Sequence, residues 1–333
     1  MDTMTLREWS VGETDVLARA VVRAPSVHNI QPWRLELPDG EARIFERADL
    51  GLPYHDPRGR DRSISCGAAV TNLELGMRVL GKRPAVRLLP DGPGGSLVAT
   101  VGVAERAEPT EAELRRYSAI ARRHSYRRPF AGPVPQGEDV TRLVAEADRT
   151  DAADVRVRAL HGAGEVGALA ELLEYAGMVL RNDQGYQREL AIWTIRDERS
   201  RTHGAGVAGS ATPTSTLPWA GLVRAGTALP DRATLTERLH GETVFVFASD
   251  TDGRDAHVRT GMAMQRLWLA AVERGLVAAV QTHPLHLTEA RSRFGERLSL
   301  PGYPQLLMRV GRPAGAVPRS PRRRAAELLM PRD

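Results

Sequence analysis

The sequence predicts an α+β fold of two related halves, each an antiparallel sheet with a long helix between its strands. Three observations predict it. Arg34–Leu37 and Ala42–Phe45 alternate around Pro38-Asp39-Gly40, a hairpin signal. A helical run from Ser65 to Met77 then precedes two further strands, Ala85–Leu89 and Leu97–Val103, separated by the turn DGPGG. Finally, residues 56–81 and 250–275 align without gaps and share nine identities, among them Asp56/Asp250, Arg60/Arg254, Asp61/Asp255, Gly67/Gly261 and Leu73/Leu267. A repeat of that length, with the turn ahead of the helix included, implies two halves that face each other like a dimer fused into one chain.

The elements follow in order. A helical pattern over Asp15–Val22 meets Ala24-Pro25, where proline ends it. Ser26, His28, Asn29 and Gln31 form a short polar loop, and Trp33 starts the first strand. Four hydrogen-bonding groups are thus held between a helix end and a strand start, which suits a ligand as well as an ordinary packed turn. Pro109, Thr110 and Glu113 form a capping-box pattern that opens a connector helix through Ala121. It runs into Arg122-Arg123-His124-Ser125-Tyr126-Arg127-Arg128, where guanidiniums gather around one hydroxyl at a helix end. Such a cluster clamps a phosphate or stands solvated. Later come a helix over Asp231–His240 and strands at Thr243–Ala248, Val277–Val280 and Gln305–Val310.

Composition narrows the classes. A chain of 333 residues with 42% hydrophobic content has room for about two domains, and no 18-residue apolar run could span a bilayer. The N-terminus, MDTMTLREWS, shows no export signal, and Cys66 is the sole cysteine, so a cytoplasmic protein without intrachain disulfides is expected. Net charge is +5 with a pI near 9.8. Lys82 is the single lysine, and the arginines concentrate at 122–128 and 319–324, compact clusters that fit bound phosphates better than a polyanion track. Nucleic acid is therefore not an expected partner.

The motif RRHSYRRPFAGPVP resembles the phosphate segment of the FMN-dependent nitroreductase family, and APSVHNIQPW resembles that family's loop on the flavin face. Ordinary members carry the phosphate motif first; here the order is reversed. With the DPRGR…CGAA helix, this arrangement is similar to the Acg-type subgroup, in which a duplicated chain mimics the usual dimer. The resemblance covers nearly all of residues 12–330. It implies a nitroreductase-like fold with one half over 1–108, carrying the flavin-face loop. The other, over 109–333, carries the phosphate motif, a lid at 202–230 and a basic tail.

Residue by residue, the resemblance implies that Arg123, Ser125 and Arg127 meet the phosphate and the ribityl or pyrimidine edge. It implies that Pro25, Ser26 and Asn29 lie over the ring, that Gln281 and Thr282 flank flavin N5 and O4, and that Arg322 and Arg323 close on the phosphate. FMN carries about two negative charges on its phosphate, which suits clustered arginines. A cation such as Arg127 would stabilise the reduced pyrimidine edge. No second copy of either motif is present, so one FMN per chain is expected. The implied function is an FMN-dependent oxidoreductase of the NAD(P)H nitroreductase or quinone reductase type, acting on a small-molecule substrate as a monomeric pseudo-dimer. The alternative is a flavoprotein that stores FMN, with Leu217 or Trp219 of the lid shielding the ring.

Other motifs point elsewhere less well. Gly162-Ala163-Gly164-Glu165-Val166-Gly167 matches GxGxxG after a strand, but Glu165 would stand where a pyrophosphate must sit. A second match at 204–209 has no strand before it. His283 and His286 in HPLH are too close to share a helix face, with no carboxylate cluster in the sequence beside them, so no metal site is expected. Cys66 reads as a buried small hydrophobe. No catalytic side chain is assigned, because the flavin would carry the chemistry.

Overall fold

A capping box opens the first helix: Ser10 Oγ accepts the Glu13 N–H while the Glu13 carboxylate accepts the Ser10 N–H. The resulting α1 (Val11–Val22) ends ahead of Pro25. Residues 8–148, 154–195, 207–208, 223–226 and 228–329 are described by this computed structural model. The hairpin of β1 (Trp33–Glu36) and β2 (Glu41–Glu46) is followed by α2 (Arg60–Val79), β3 (Lys82–Leu88) and β4 (Leu97–Arg106). These strands form an antiparallel sheet in the order β1-β2-β4-β3.

The second capping box, Thr110 with Glu113, starts α3 (Glu111–Arg122). After it come β5 (Phe130–Ala131), α4 (Glu138–Ala147), β6 (Val155–Ala159), α5 (Gly162–Asn182), α6 (Gln184–Ile192) and the short parallel pair β7 (Thr194–Ile195) and β8 (Val207–Ala208). Asp231 caps α7 (Arg232–His240), accepting the Thr234 N–H at 2.8 Å. The chain closes with β9 (Thr243–Ser249), α8 (Arg254–Glu273), β10 (Val277–Gln281), α9 (Thr288–Arg297), β11 (Tyr303–Pro313) and α10 (Ala325–Leu328). The second sheet runs β6-β9-β11-β10, also antiparallel, with β5 added to β11.

Both sheets follow one plan. In each, two strands, a long helix and two more strands occur in that chain order, and the last strand pairs with the second. The helix α1 packs on α2 as α4 packs on α8. Between the sheets α2 and α8 meet at two glycines. A Cβ on Gly67 would lie 1.9 Å from the Val258 carbonyl oxygen, and one on Gly261 would lie 1.9 Å from that of Ile64. Each glycine therefore admits the other helix's backbone, and the contact is reciprocal. One hydrophobic core spans the seam, from Leu17, Ile44 and Leu73 to Leu267, Phe247 and Met308.

The structure departs from the sequence reading in places. The helix predicted from Ser65 begins at Arg60, because Gly59 at φ 70° makes the turn and Asp56 Oδ2 accepts the Arg62 N–H at 2.9 Å. Its polar first turn is helical without any apolar pattern to announce it. At the first GxGxxG, Glu165 accepts the His161 N–H and pairs with Arg158 at 2.7 Å, and β6 pairs antiparallel, unlike a dinucleotide-binding strand. Cys66 is buried, and burial pushes its thiol well up. No helix among the described residues is long and apolar enough to cross a membrane. Most of the expected lid at 202–230, with Leu217 and Trp219, and most of the second GxGxxG lie outside the described residues.

Candidate functional site

The loop after α1 is strained. His28, Asn29 and Gln31 all adopt positive φ, at 44°, 56° and 53°, which side-chain-bearing residues hold at a cost of about 1–3 kcal/mol each. Hydrogen bonds hold the loop in place. Gln31 N–H donates to Ser26 Oγ at 3.0 Å, and Val27 N–H donates to Ser65 Oγ on α2 at 3.2 Å. The C-terminal tail clamps the other side: Arg322 donates to Asn29 Oδ1 at 2.7 Å, Asn29 Nδ2 to the Pro321 carbonyl at 3.0 Å, and Arg323 N–H to Gln31 Oε1 at 3.0 Å. A loop that reads as polar surface is therefore largely buried, with Asn29 and Gln31 bonded across almost 300 residues of sequence.

The arginine segment is anchored by Tyr126, fully buried, whose N–H donates to the Ala278 carbonyl on β10 and whose hydroxyl accepts the Ala314 N–H, both at 2.9 Å. Arg123 and Arg127 point inward on either side of it. Arg123 is only 2% exposed; its guanidinium lies 4.5 Å from the Trp268 ring centre and donates to the Arg23 carbonyl at 3.1 Å, while its Nε has no partner. Among the described residues no carboxylate pairs with Arg123, Arg127 or Arg322. Burial, then the charges of Arg322, Arg127 and Arg23, pull the Arg123 pKa well below the usual arginine value. Burial brings Arg127 down to about 10, and burial with Arg23 does the same for Arg322. Arginines remain protonated even so, and the group is a standing positive charge that an anion would relieve.

Pro25, Ser26, Ser125, Arg127 and Thr282 line one recess, together with Val27, His28, His55, Asp61, Ile64, Met264 and Trp268. Its volume is about 80 Å³, and it opens to solvent. Asn29, Arg123, Gln281, Arg322 and Arg323 stand outside this lining. Asn29 and Arg322 bond each other, Arg323 reaches the loop through its backbone, and Gln281 is buried with both amide atoms unpartnered.

Sequence reasoning missed the histidines. His286 Nε2 lies 3.1 Å and His55 Nε2 3.3 Å from Asp61 Oδ2, and the Thr282 hydroxyl donates to the same oxygen. The His28 ring packs edge-on against His55 at 4.3 Å. The expectation that no carboxylate accompanies HPLH is corrected here: Asp61 arrives from α2, 225 residues away. Two signals were available. His28 lies inside the loop motif, and Asp61 belongs to the repeated turn, although its counterpart Asp255 is half-exposed and pairs with Arg259.

The Nitroreductase family profile matches residues 219–312. A protein of Mycobacterium tuberculosis H37Rv provisionally named NAD(P)H nitroreductase is 33% identical over 92% of this chain and 88% of its own length. The protein Acg of the same strain, also provisionally named an NAD(P)H nitroreductase, is 29% identical over 92% of this chain and 94% of its own. Among solved structures, the FMN-dependent nitroreductase NfnB of Mycobacterium smegmatis in complex with NADPH aligns with 20% identity and a TM-score of 0.40, covering 67% of this chain and all of that one.

Proposed function

This chain belongs to the nitroreductase family, and on that premise we propose that it is an FMN-dependent NAD(P)H oxidoreductase, reducing a small nitro or quinone compound as a cytoplasmic monomer. The observation that carries this reading is the set of buried or half-buried guanidiniums that have no carboxylate partner among the described residues, beside the strained loop. Three uncompensated charges are costly unless an anion joins them, and a phosphate monoester supplies about two negative charges.

The residues fit FMN in their donor chemistry. Arg123, Arg322 and Ser125 would hold the phosphate end, with Arg323 beside them. Arg127 and the unpartnered amide of Gln281, with Thr282, would meet the polar edge of the ring. Pro25 and Ser26 would cover one face, with Asn29 held behind them by the tail, and Trp268, Met264 and Ile64 offer an apolar wall. At about 80 Å³ the recess is well below the roughly 300–1,000 Å³ of ordinary ligand sites. Bound FMN would thus extend to the solvent mouth, and it would supply hydride transfer between a nicotinamide and the substrate. The reciprocal α2–α8 seam and the shared sheet plan support reading the chain as a fused pseudo-dimer, with halves over 1–108 and 109–333. Both motifs occur once, which supports one FMN per chain.

The narrow enclosed space favours one second reading, a protein that holds FMN with little turnover. The purified protein is expected to be yellow with one FMN per chain and to oxidise NADPH with nitrofurazone or menadione. A yellow but inert protein selects storage, and a colourless one that takes up no added FMN refutes both.

A further inference from the structure

We propose that His55, Asp61 and His286 form a binding site for one divalent transition-metal ion of the zinc type, held by two imidazole nitrogens and one carboxylate oxygen. This inference does not rest on the flavin, although His55 and Asp61 line the same recess. Three elements converge on it: the loop after β2 gives His55, the first turn of α2 gives Asp61, and the 3₁₀ turn His283–His286 after β10 gives His286.

The spacing matches a coordination shell. Zinc binds imidazole and carboxylate at about 2.0–2.1 Å, so two donors of a tetrahedral site stand about 3.3 Å apart. The two imidazole nitrogens lie 3.3 and 3.1 Å from Asp61 Oδ2, and all three donor atoms lie within 4.8 Å of one another. Three protein ligands leave a fourth position for water, as in sites where a metal binds exchangeable ligands.

The surroundings are those of a supported site. Arg60 Nε holds the other carboxylate oxygen, Asp61 Oδ1, at 3.3 Å and leaves Oδ2 to face the histidines. The same guanidinium donates to the Leu285 carbonyl at 2.9 Å and the Thr282 carbonyl at 3.1 Å, which fixes the turn that carries His286. Asp61 is 1% exposed at its side chain and His286 16%. His286 lines an open cleft of about 670 Å³, giving an ion a route in, while His55 and Asp61 face the smaller recess.

Unused polar atoms lie on residues of and near the cluster. His55 Nδ1, His28 Nε2, both nitrogens of His283 and Asp56 Oδ1 are buried without partners. None of these is a donor atom of the site, and water entering beside the ion would satisfy them. Imidazole donors select zinc, cobalt, nickel or copper over magnesium and calcium.

The test uses the full chain, purified without a histidine tag. After dialysis against zinc chloride and then metal-free buffer, elemental analysis should find one zinc per chain. Cobalt in its place should give the visible d–d bands of a tetrahedral nitrogen and oxygen site. His286→Gln and Asp61→Asn should weaken zinc binding by about a hundredfold or more, whereas His240→Gln, on the exposed end of α7, should retain it. Circular dichroism and FMN content, measured on the same samples, separate loss of metal from loss of fold and from failure of the flavin reading. Should Asp61→Asn not fold, His286→Gln, at the rim of the site, carries the result. Substoichiometric zinc in the wild type, or full zinc in His286→Gln, overturns the proposal and leaves plain Asp–His hydrogen bonds.

Discussion

Two recesses lined with arginine flank the start of α2, and they differ in charge balance as well as in volume. The larger, about 670 Å³, faces the exposed Arg58, which has no carboxylate partner among the described residues, and four buried or half-buried arginines, Arg60, Arg62, Arg254 and Arg291. Each of these four is met by a carboxylate: Arg60 by Asp61, Arg62 and Arg254 by Glu46, and Arg291 by Asp252. The smaller recess has Arg127 in its wall and Arg123 and Arg322 behind it, with no carboxylate for any of the three among the described residues. A paired guanidinium has its field spent at short range, while an unpaired one keeps it for a ligand. The fully buried Arg309, bound to Glu242, shows how this chain treats an arginine that serves structure. Charge balance, then, marks the smaller recess as the candidate site, which its size alone would not.

The largest expected effect comes from abolishing the difference. Ser125→Asp sets a carboxylate among the unpaired arginines and should weaken FMN binding by about 3 kcal/mol or more, over a hundredfold, while raising the melting temperature of the flavin-free protein. Flavin-to-chain absorbance and a thermal melt read the two signs, and a lowered melting temperature in the flavin-free protein would count against the comparison. Next, Arg123→Met should cost about 1.5–3 kcal/mol of FMN affinity, roughly 10- to 150-fold, without destabilising the flavin-free chain, since no buried carboxylate loses a partner. Fluorescence titration with FMN measures it.

A smaller effect tests the paired recess. Glu46→Gln frees Arg62 and Arg254, should destabilise the fold by about 1–2 kcal/mol, and should make the melt responsive to inorganic phosphate, which the wild-type cleft should not be. The smallest concerns an ordinary pair. Arg78 and then the Thr110 cap outweigh burial and hold the Glu113 carboxyl at about 2. A carboxyl lowered in the folded chain stabilises above its unfolded value of about 4.5, and the contribution is lost as pH falls toward 2. Glu113→Gln should therefore cost about 1–2 kcal/mol at neutral pH, after allowance for solvent screening, and nothing at pH 2, as urea melts would show.

Much of this was legible in the chain. The hairpin around Pro38-Asp39-Gly40, both capping boxes and the Asp231 cap are local, because the caps join residues three apart and the hairpin joins residues no more than thirteen apart. The repeat marked the two central helices, although which glycines touch was visible only once Gly67 met Val258 and Gly261 met Ile64. The arginine and loop motifs were readable too, but not that Arg322 would bond Asn29, nor that Arg123 would lie under Arg23. HPLH was set aside because its carboxylate lies in the other half of the chain.

By itself the sequence determined the elements, their repetition and the kinds of charge available, since these follow from short-range patterns of polarity, capping and turns. Tertiary structure alone decided which arginines stay unpaired and which histidines share Asp61. Those outcomes depend on partners hundreds of residues apart and on burial, which raises the cost of every charge left without one.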